Sequence, residues 1–134
     1  MLTPILALIS WTLIIWVWMY VTRIPAMKKA GINPQDAAHP GALDILPSKV
    51  RQIANNYNHL HEQPTIFYAL MVYTHLAGTT DTLNIQLAWA YVGLRVIHSL
   101  IHCTNNHVMS RFILFKLSSL ALVALAARNI AAAF

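Results

Sequence analysis

Apolar residues along the chain gather into four long segments that are separated by polar stretches. Each segment is long enough to cross a hydrocarbon core of about 30 Å as an α-helix, and none shows the alternation typical of a β-strand. The pattern predicts membrane-spanning helices at about residues 2–22, 48–77, 83–103 and 108–132. We therefore expect one domain over residues 1–134, an all-α integral membrane four-helix bundle with up-and-down topology.

The connections between the predicted helices differ in length. Residues 23–46 contain three prolines and two glycines, which predicts an irregular loop with at most one short helical turn. The loops at 78–81 and 104–107 are short, so the second, third and fourth helices should be antiparallel neighbours. As one helix of about 30 residues, the second segment would be roughly 45 Å long and would project from the bilayer at one side.

The composition supports a membrane protein and excludes other classes. The chain is 57% hydrophobic and only 10% charged, which is too apolar for a water-soluble domain of 134 residues. Its net charge of +5 is not clustered with aromatic residues, so we expect no nucleic-acid partner. The basic residues concentrate instead on the side of the first and third loops: Arg23, Lys28, Lys29, Lys49, Arg51 and Arg111. The positive-inside rule makes that side cytoplasmic and places both termini outside, as in a bacterial inner membrane protein.

A polar stripe precedes the apolar half of the second segment. Arg51, Asn55, Asn58 and Glu62 are spaced by 4, 3 and 4 residues. On one helix they fall within an arc of roughly 60°. Ionisable groups at membrane depth usually face a bundle interior or a wet cavity, so we interpret the stripe as a functional surface.

The third segment has a polar face of its own, formed by Arg95, His98 and His102. Because the two helices are antiparallel, Arg95 should reach a depth similar to that of Glu62, with Arg111 over the mouth between them. Arginines can clamp carboxylates through two hydrogen bonds, and a glutamate can pair with an ammonium group. The arrangement predicts a pocket that opens to the cytoplasm and takes a small zwitterionic, multiply carboxylated ligand. The apolar helix flanks would admit a lipophilic second substrate.

These charged and polar residues also have purely structural interpretations. Glu62 and Arg95 could form an interhelical ion pair that fixes the bundle. Arg51 and Arg111 could anchor lipid headgroups, and the asparagines of the stripe could join neighbouring helices by hydrogen bonds.

A metal or haem site is a third possibility, because His98 and His102 are one turn apart and His59 and His61 lie on the neighbouring segment. The latter two are about 200° apart on a helix, however, and no second carboxylate supports the site. We therefore predict no metal ligand.

Two stretches resemble a known family. Residues 58–68 are similar to the helix II signature of the MAPEG family, the membrane-associated proteins of eicosanoid and glutathione metabolism. Residues 94–111 resemble the segment from helix III to helix IV, and the resemblance extends over the chain in length and four-span layout. The arginine, histidine, tyrosine and arginine series of the prostaglandin E synthase-like members is matched in spacing by Arg95, His98, His102 and Arg111.

The resemblance implies a homotrimer that binds glutathione between neighbouring protomers near the cytoplasmic face. Asn58 and Glu62 would be the signature asparagine and glutamate, and Arg95 the helix III arginine. Arg111 would be the catalytic residue that stabilises the glutathione thiolate. The complete set that we expect to bind glutathione is Arg51, Asn55, Asn58, Glu62, Arg95, His98 and His102.

The sequence thus predicts a membrane-bound glutathione-dependent transferase or peroxidase that acts on a lipophilic electrophile. The alternative is a non-catalytic lipid-binding or scaffold protein of the same fold. The partners that we expect for the protein are the lipid bilayer, two further copies of the chain and a lipophilic small molecule.

Overall fold

The predicted all-α bundle is confirmed. A computed structural model describes residues 1–134, and all of its regular secondary structure is helical. The helices are α1 (Thr3–Lys29), a 3-10 helix (Pro34–Ala38), α2 (Ser48–His59), α3 (Gln63–Leu76), α4 (Thr82–Cys103) and α5 (Val108–Ala133).

The first helix is longer than we predicted. We expected it to end near residue 22, but α1 continues through Pro25 to Lys29. Lys28 and Lys29 occupy its last turn, where positive charge interacts favourably with the helix dipole. The helix ends where Gly31 adopts a positive φ of 69°, a backbone conformation that glycine tolerates after a helix terminus.

The second predicted segment is not one helix, and this part of our prediction is wrong. The chain leaves helical geometry after His59, and Glu62 has φ −88° and ψ −101° before α3 begins. Pro64 explains the break, because it lacks an amide hydrogen and its ring clashes with the carbonyl group four residues earlier in a continuous helix. Glu62 therefore does not continue the face that Arg51 forms on α2.

Two apolar cores hold the helices together, and α4 packs most extensively against α5. The larger core joins α1, α3, α4 and α5 through Leu8, Phe67, Met71, Ala88, Tyr91, Val92, Leu122 and Leu125. The second joins α1 to α2 and to the end of α4 through Ile15, Met19, Ile53, Ala54, Leu60 and Cys103. Together they fix the ends of α2 and α4 side by side.

Buried hydrogen bonds set the register of α2 against α4. The Gln52 side chain donates to the carbonyl oxygens of Cys103, at 3.0 Å, and Thr104, at 2.8 Å. The Asn56 amide donates to the Ser99 hydroxyl group one turn further along. These bonds satisfy the otherwise unpaired carbonyl groups at the end of α4 and hold one face of α2 toward the bundle interior.

The outer surface is apolar, as a bilayer requires. Only 27 of the 134 residues are buried, and large apolar side chains such as Leu6, Val21 and Leu120 are about two-thirds exposed. Two helices, α1 and α5, are long and apolar enough to cross a membrane by length and composition.

One ion pair ties the loop between α3 and α4 to the end of α5, and it should make stability depend on pH. Asp81 accepts hydrogen bonds from the backbone N–H of Asn84, at 2.7 Å, and from the Arg128 side chain. The Asn84 amide bond first, and the Arg128 charge with it, lower the pKa of the exposed Asp81 carboxyl group below its ordinary value of 3.8. Since the folded-state pKa is the lower one, the stabilisation is fully present above the ordinary pKa of 3.8 and is lost as the pH falls from there through the folded-state pKa.

We expect Asp81→Asn to abolish this pH dependence. Wild-type protein should lose more melting temperature than the variant between pH 6 and pH 3, as measured by detergent-phase thermal unfolding. Equal losses would show that the carboxyl group titrates alike in the folded and unfolded chains.

Candidate functional site

A cavity of about 230 Å³ lies between the end of α2, α4 and the start of α5. Its lining residues combine two imidazoles and a guanidinium with apolar side chains: His59, His98, Val108, Arg111, Phe112 and Phe115. We call it the anion cavity, for the reasons that follow.

Three imidazole rings converge beside this cavity. His59 and His98 stack with ring centroids 4.9 Å apart and planes inclined by 18°. The His102 ring stands roughly perpendicular to both, 5.9 Å from His98 and 6.3 Å from His59. His98 and His102 are buried, so the two histidines that we predicted on the third segment, now α4, face the bundle interior.

Arg95 is buried beneath the imidazoles. Only 1% of the residue is exposed, and none of its three guanidinium nitrogens has a hydrogen-bond partner. Its guanidinium carbon lies 5.4 Å from the Phe115 ring centroid and 5.8 Å from that of Tyr91. These aromatic faces attract the cation, but they accept none of its directional hydrogen bonds.

Unpartnered nitrogen atoms are concentrated around the anion cavity. Nine buried side-chain polar atoms in the structure lack a hydrogen-bond partner, and six of them belong to this cluster. They are His59 Nδ1, the three guanidinium nitrogens of Arg95, His102 Nδ1 and Arg111 Nε. Buried polar groups are normally satisfied, and no carboxylate lines the cavity. A ligand with negatively charged oxygen or sulfur atoms would complete the arrangement.

Arg111 is held in place by the loop before α5. One of its guanidinium nitrogens donates to the Asn106 side chain, while Nε remains free. Asn106 has a positive φ of 54°, the left-handed conformation that asparagine tolerates better than most residues. The backbone N–H of Asn106 donates to the Ile101 carbonyl oxygen at 2.7 Å. The loop thus positions Arg111 at the cavity wall.

No group of three or more histidine, cysteine, aspartate or glutamate side chains is arranged to hold a metal ion. The donors around the cavity are better suited to an anion.

The predicted stripe does not line the anion cavity. Arg51, Asn55, Asn58 and Glu62 are all exposed, and the first two line a separate cavity near the end of α1. Glu62 makes no ion pair with Arg95, because the structure has only the Arg128–Asp81 pair. The two charges are nevertheless close enough to interact electrostatically.

A second polar stripe on α2, which we did not identify from the sequence, faces α4 and reaches the anion cavity at His59. Gln52, Asn56 and His59 follow the same spacing of 4 and 3 residues as Arg51, Asn55 and Asn58, one position further along. Gln52 and Asn56 bind α4, and His59 stacks on His98. The identical spacing is the signal that could have revealed this stripe, although spacing alone does not say which stripe faces α4.

An apolar groove adjoins the anion cavity along α5. It has a volume of about 350 Å³ and is lined by Phe115, Lys116, Ser119 and Leu120. Phe115 belongs to both spaces, so a molecule in the groove would lie next to one in the cavity.

Comparison with known proteins gives one match that covers nearly the whole chain. The sequence model of the MAPEG family matches residues 1–131. No curated protein and no solved structure shows a significant match.

Proposed function

Because the chain belongs to the MAPEG family of membrane proteins of glutathione and eicosanoid metabolism, we propose that it is a membrane-bound glutathione-dependent transferase or peroxidase that acts on a lipophilic electrophile. The observation that carries this proposal is the group of unpartnered nitrogens around the anion cavity. Glutathione has two carboxylates and an ionisable thiol, so it can satisfy several of these donors at once. Without an anion, the Arg95 charge stays buried and unpaired, which is energetically unfavourable.

Each cationic or imidazole side chain then has a role toward glutathione. Bound glutathione would supply a thiolate nucleophile for the electrophile. Arg111 stabilises that thiolate, because a nearby cation lowers the pKa of a thiol from its ordinary value of about 8.5. Arg95 holds a carboxylate through its planar fork, and His98 and His102 orient the peptide by hydrogen bonds.

The lipophilic substrate reaches the thiolate from the bilayer. The groove along α5 shares Phe115 with the anion cavity, so a molecule that entered the groove from the bilayer would lie beside the thiolate. If the first and third loops are cytoplasmic, as their basic residues favour, Arg111 lies toward the cytosol at the polar end of this path. The electrophile would thus approach from lipid and glutathione from water.

We also propose that the protein is a homotrimer whose site is completed between protomers. The anion cavity, at about 230 Å³, is smaller than the 300–1,000 Å³ typical of small-molecule sites, so it holds only part of a tripeptide. Asn58 and Glu62 are exposed on the protomer, and a polar stripe that faced lipid would be unfavourable. Packing against a neighbouring protomer would cover Asn58 and Glu62 and bring them to glutathione.

The trimer is tested by native mass spectrometry in mild detergent. We expect a mass three times that of the 15.0 kDa protomer. Asn58→Leu should leave the trimer intact if the stripe contacts glutathione, and should dissociate it if the stripe only joins the protomers. A wild-type mass of one or two protomers would contradict the proposal.

Thermal unfolding with glutathione tests the function. A ligand at 100 times its dissociation constant stabilises the folded state by about 2.7 kcal/mol, which corresponds to a rise of several degrees in melting temperature. We expect this rise with glutathione and a smaller one with its analogue in which alanine replaces cysteine, because that analogue has the carboxylates but no thiolate.

The same measurement identifies the alternative. If saturating glutathione leaves the melting temperature unchanged, while a lipophilic ligand of the α5 groove raises it, the protein is a lipid-binding scaffold and the catalytic proposal is wrong.

A further inference from the structure

A small polar cavity lies between the last turns of α1, the loop that follows it and the first turns of α2. It has a volume of about 80 Å³ and is lined by Arg23 of α1, Leu43 and Asp44 of the following loop, and Arg51, Ala54 and Asn55 of α2. We call it the Arg23 cavity. It shares no lining residue with the anion cavity.

The charged groups of the Arg23 cavity have no partner within the protein. The only ion pair in the structure joins Arg128 and Asp81, so Arg23, Arg51 and Asp44 are all unpaired although they line one space. The Arg23 Nε atom is buried and has no hydrogen-bond partner. Two guanidinium groups, a carboxylate and the Asn55 amide therefore remain available to a ligand that carries both charges.

The cavity lies at the level of lipid headgroups. Helix α1 starts at Thr3, and Arg23 lies 20 residues further along it. At 1.5 Å per residue this distance is about 30 Å, which equals the thickness of the hydrocarbon core. The chain continues from there into a loop that is rich in proline and glycine and leaves the apolar region. A ligand in this cavity would be in contact with the bilayer surface.

We propose that the Arg23 cavity binds the phosphoethanolamine headgroup of a membrane phospholipid. Arg23 and Arg51 bind the phosphate, because the planar guanidinium matches phosphate oxygens through paired hydrogen bonds. Asp44 binds the ammonium group. The volume of about 80 Å³ admits a compact group such as a phosphate and is too small for a whole tripeptide. We expected Arg51 and Asn55 to bind glutathione, and the proposed headgroup site takes both residues instead. It shares no residue with the anion cavity, so it does not depend on glutathione binding there.

Native mass spectrometry with defined lipids tests the proposal. The full-length protein in detergent is titrated with phosphatidylethanolamine, phosphatidylglycerol or phosphatidylcholine of the same acyl chains. We expect phosphatidylethanolamine to bind at least tenfold more tightly than the other two, since phosphatidylglycerol lacks the amine and the choline group cannot donate hydrogen bonds to Asp44. Equal binding of all three lipids would overturn the proposal.

Soluble phosphoethanolamine distinguishes a lipid site from a site for a free phosphate ester. We expect it to compete only weakly, because it lacks the acyl chains that contact the apolar surface beside the cavity. If it binds as tightly as the lipid, the assignment to a membrane phospholipid is wrong.

Three variants locate the binding. Arg23→Gln should weaken phosphatidylethanolamine binding about tenfold, and Asp44→Asn should remove the preference over phosphatidylglycerol. Lys49→Gln is the matched control, because it removes one positive charge from the exposed start of α2 without touching the cavity. Arg23→Lys keeps the charge and loses the planar fork, so its affinity for phosphatidylethanolamine should lie between those of wild type and Arg23→Gln. This variant also tests the site if Arg23→Gln does not fold. Equal losses in Arg23→Gln and Lys49→Gln would show only a diffuse attraction to lipid and would refute the site.

Discussion

Replacement of Arg95 by methionine is expected to raise the melting temperature of the ligand-free protein and to abolish its stabilisation by glutathione. Arg95 is 1% exposed and its three nitrogens have no acceptor. The contacts with Tyr91 and Phe115 return about 0.5–2 kcal/mol, whereas burial of an ion costs several kcal/mol. Methionine is flexible and apolar and would fill most of the same space. We expect a gain of about 1–3 kcal/mol in the free energy of unfolding.

Arg128→Met is the matched control. Arg128 is an arginine of the same bundle, but its side chain is 37% exposed and is paired with Asp81. Its removal should lower stability slightly, by about 0–1 kcal/mol, and leave the response to glutathione unchanged. If Arg95→Met destabilises the ligand-free protein as much as Arg128→Met does, the Arg95 guanidinium is satisfied in the free protein and our account of the cavity is wrong.

Replacement of Arg111 by leucine should lower turnover by at least tenfold, since each 1.36 kcal/mol of lost transition-state stabilisation reduces the rate by a factor of ten. Glutathione binding should weaken less than turnover falls, because Arg95 and the histidines still hold the peptide. The pKa of the bound thiol should rise toward about 8.5, so that its thiolate absorbance disappears near neutral pH. Arg111→Lys, which keeps the charge, should retain part of that absorbance.

Glu62→Gln provides the contrasting result. We expect it to weaken glutathione binding and to leave the thiolate absorbance of the bound fraction intact, because Glu62 does not line the anion cavity with Arg111. If Arg111→Leu and wild type show the same thiolate absorbance at saturating glutathione, Arg111 is a headgroup anchor and not the catalytic residue.

The helix boundaries that depend on local signals could be predicted from the sequence. The short loops at 78–81 and 104–107 and the starts of α4 and α5 lie within a residue or two of their predicted positions. The break before Pro64 was missed because the apolar and polar patterns continue through it. Pro64 lies in the first turn of α3, where a proline is favourable. A proline also often follows the end of a helix, so the residue types alone did not show where the segment is interrupted.

The candidate site was predictable in part. Arg95, His98, His102 and Arg111 are brought together, since their spacing fixes one face of α4 and the first turn of α5. The orientation of α2 could not be predicted, because two stripes with the same spacing start at Arg51 and at Gln52. The hydrogen bonds of Gln52 to the end of α4 decide between them, and they exist only in the folded bundle.

A structure of the protein saturated with glutathione tests the central claim most directly. We predict density for the peptide in the anion cavity, with a carboxylate within hydrogen-bond distance of Arg95 and the sulfur atom beside Arg111. We further predict that Asn58 and Glu62 of a neighbouring protomer lie against the same molecule. An anion cavity without this density at saturating glutathione, or glutathione bound only in the Arg23 cavity, would contradict the account.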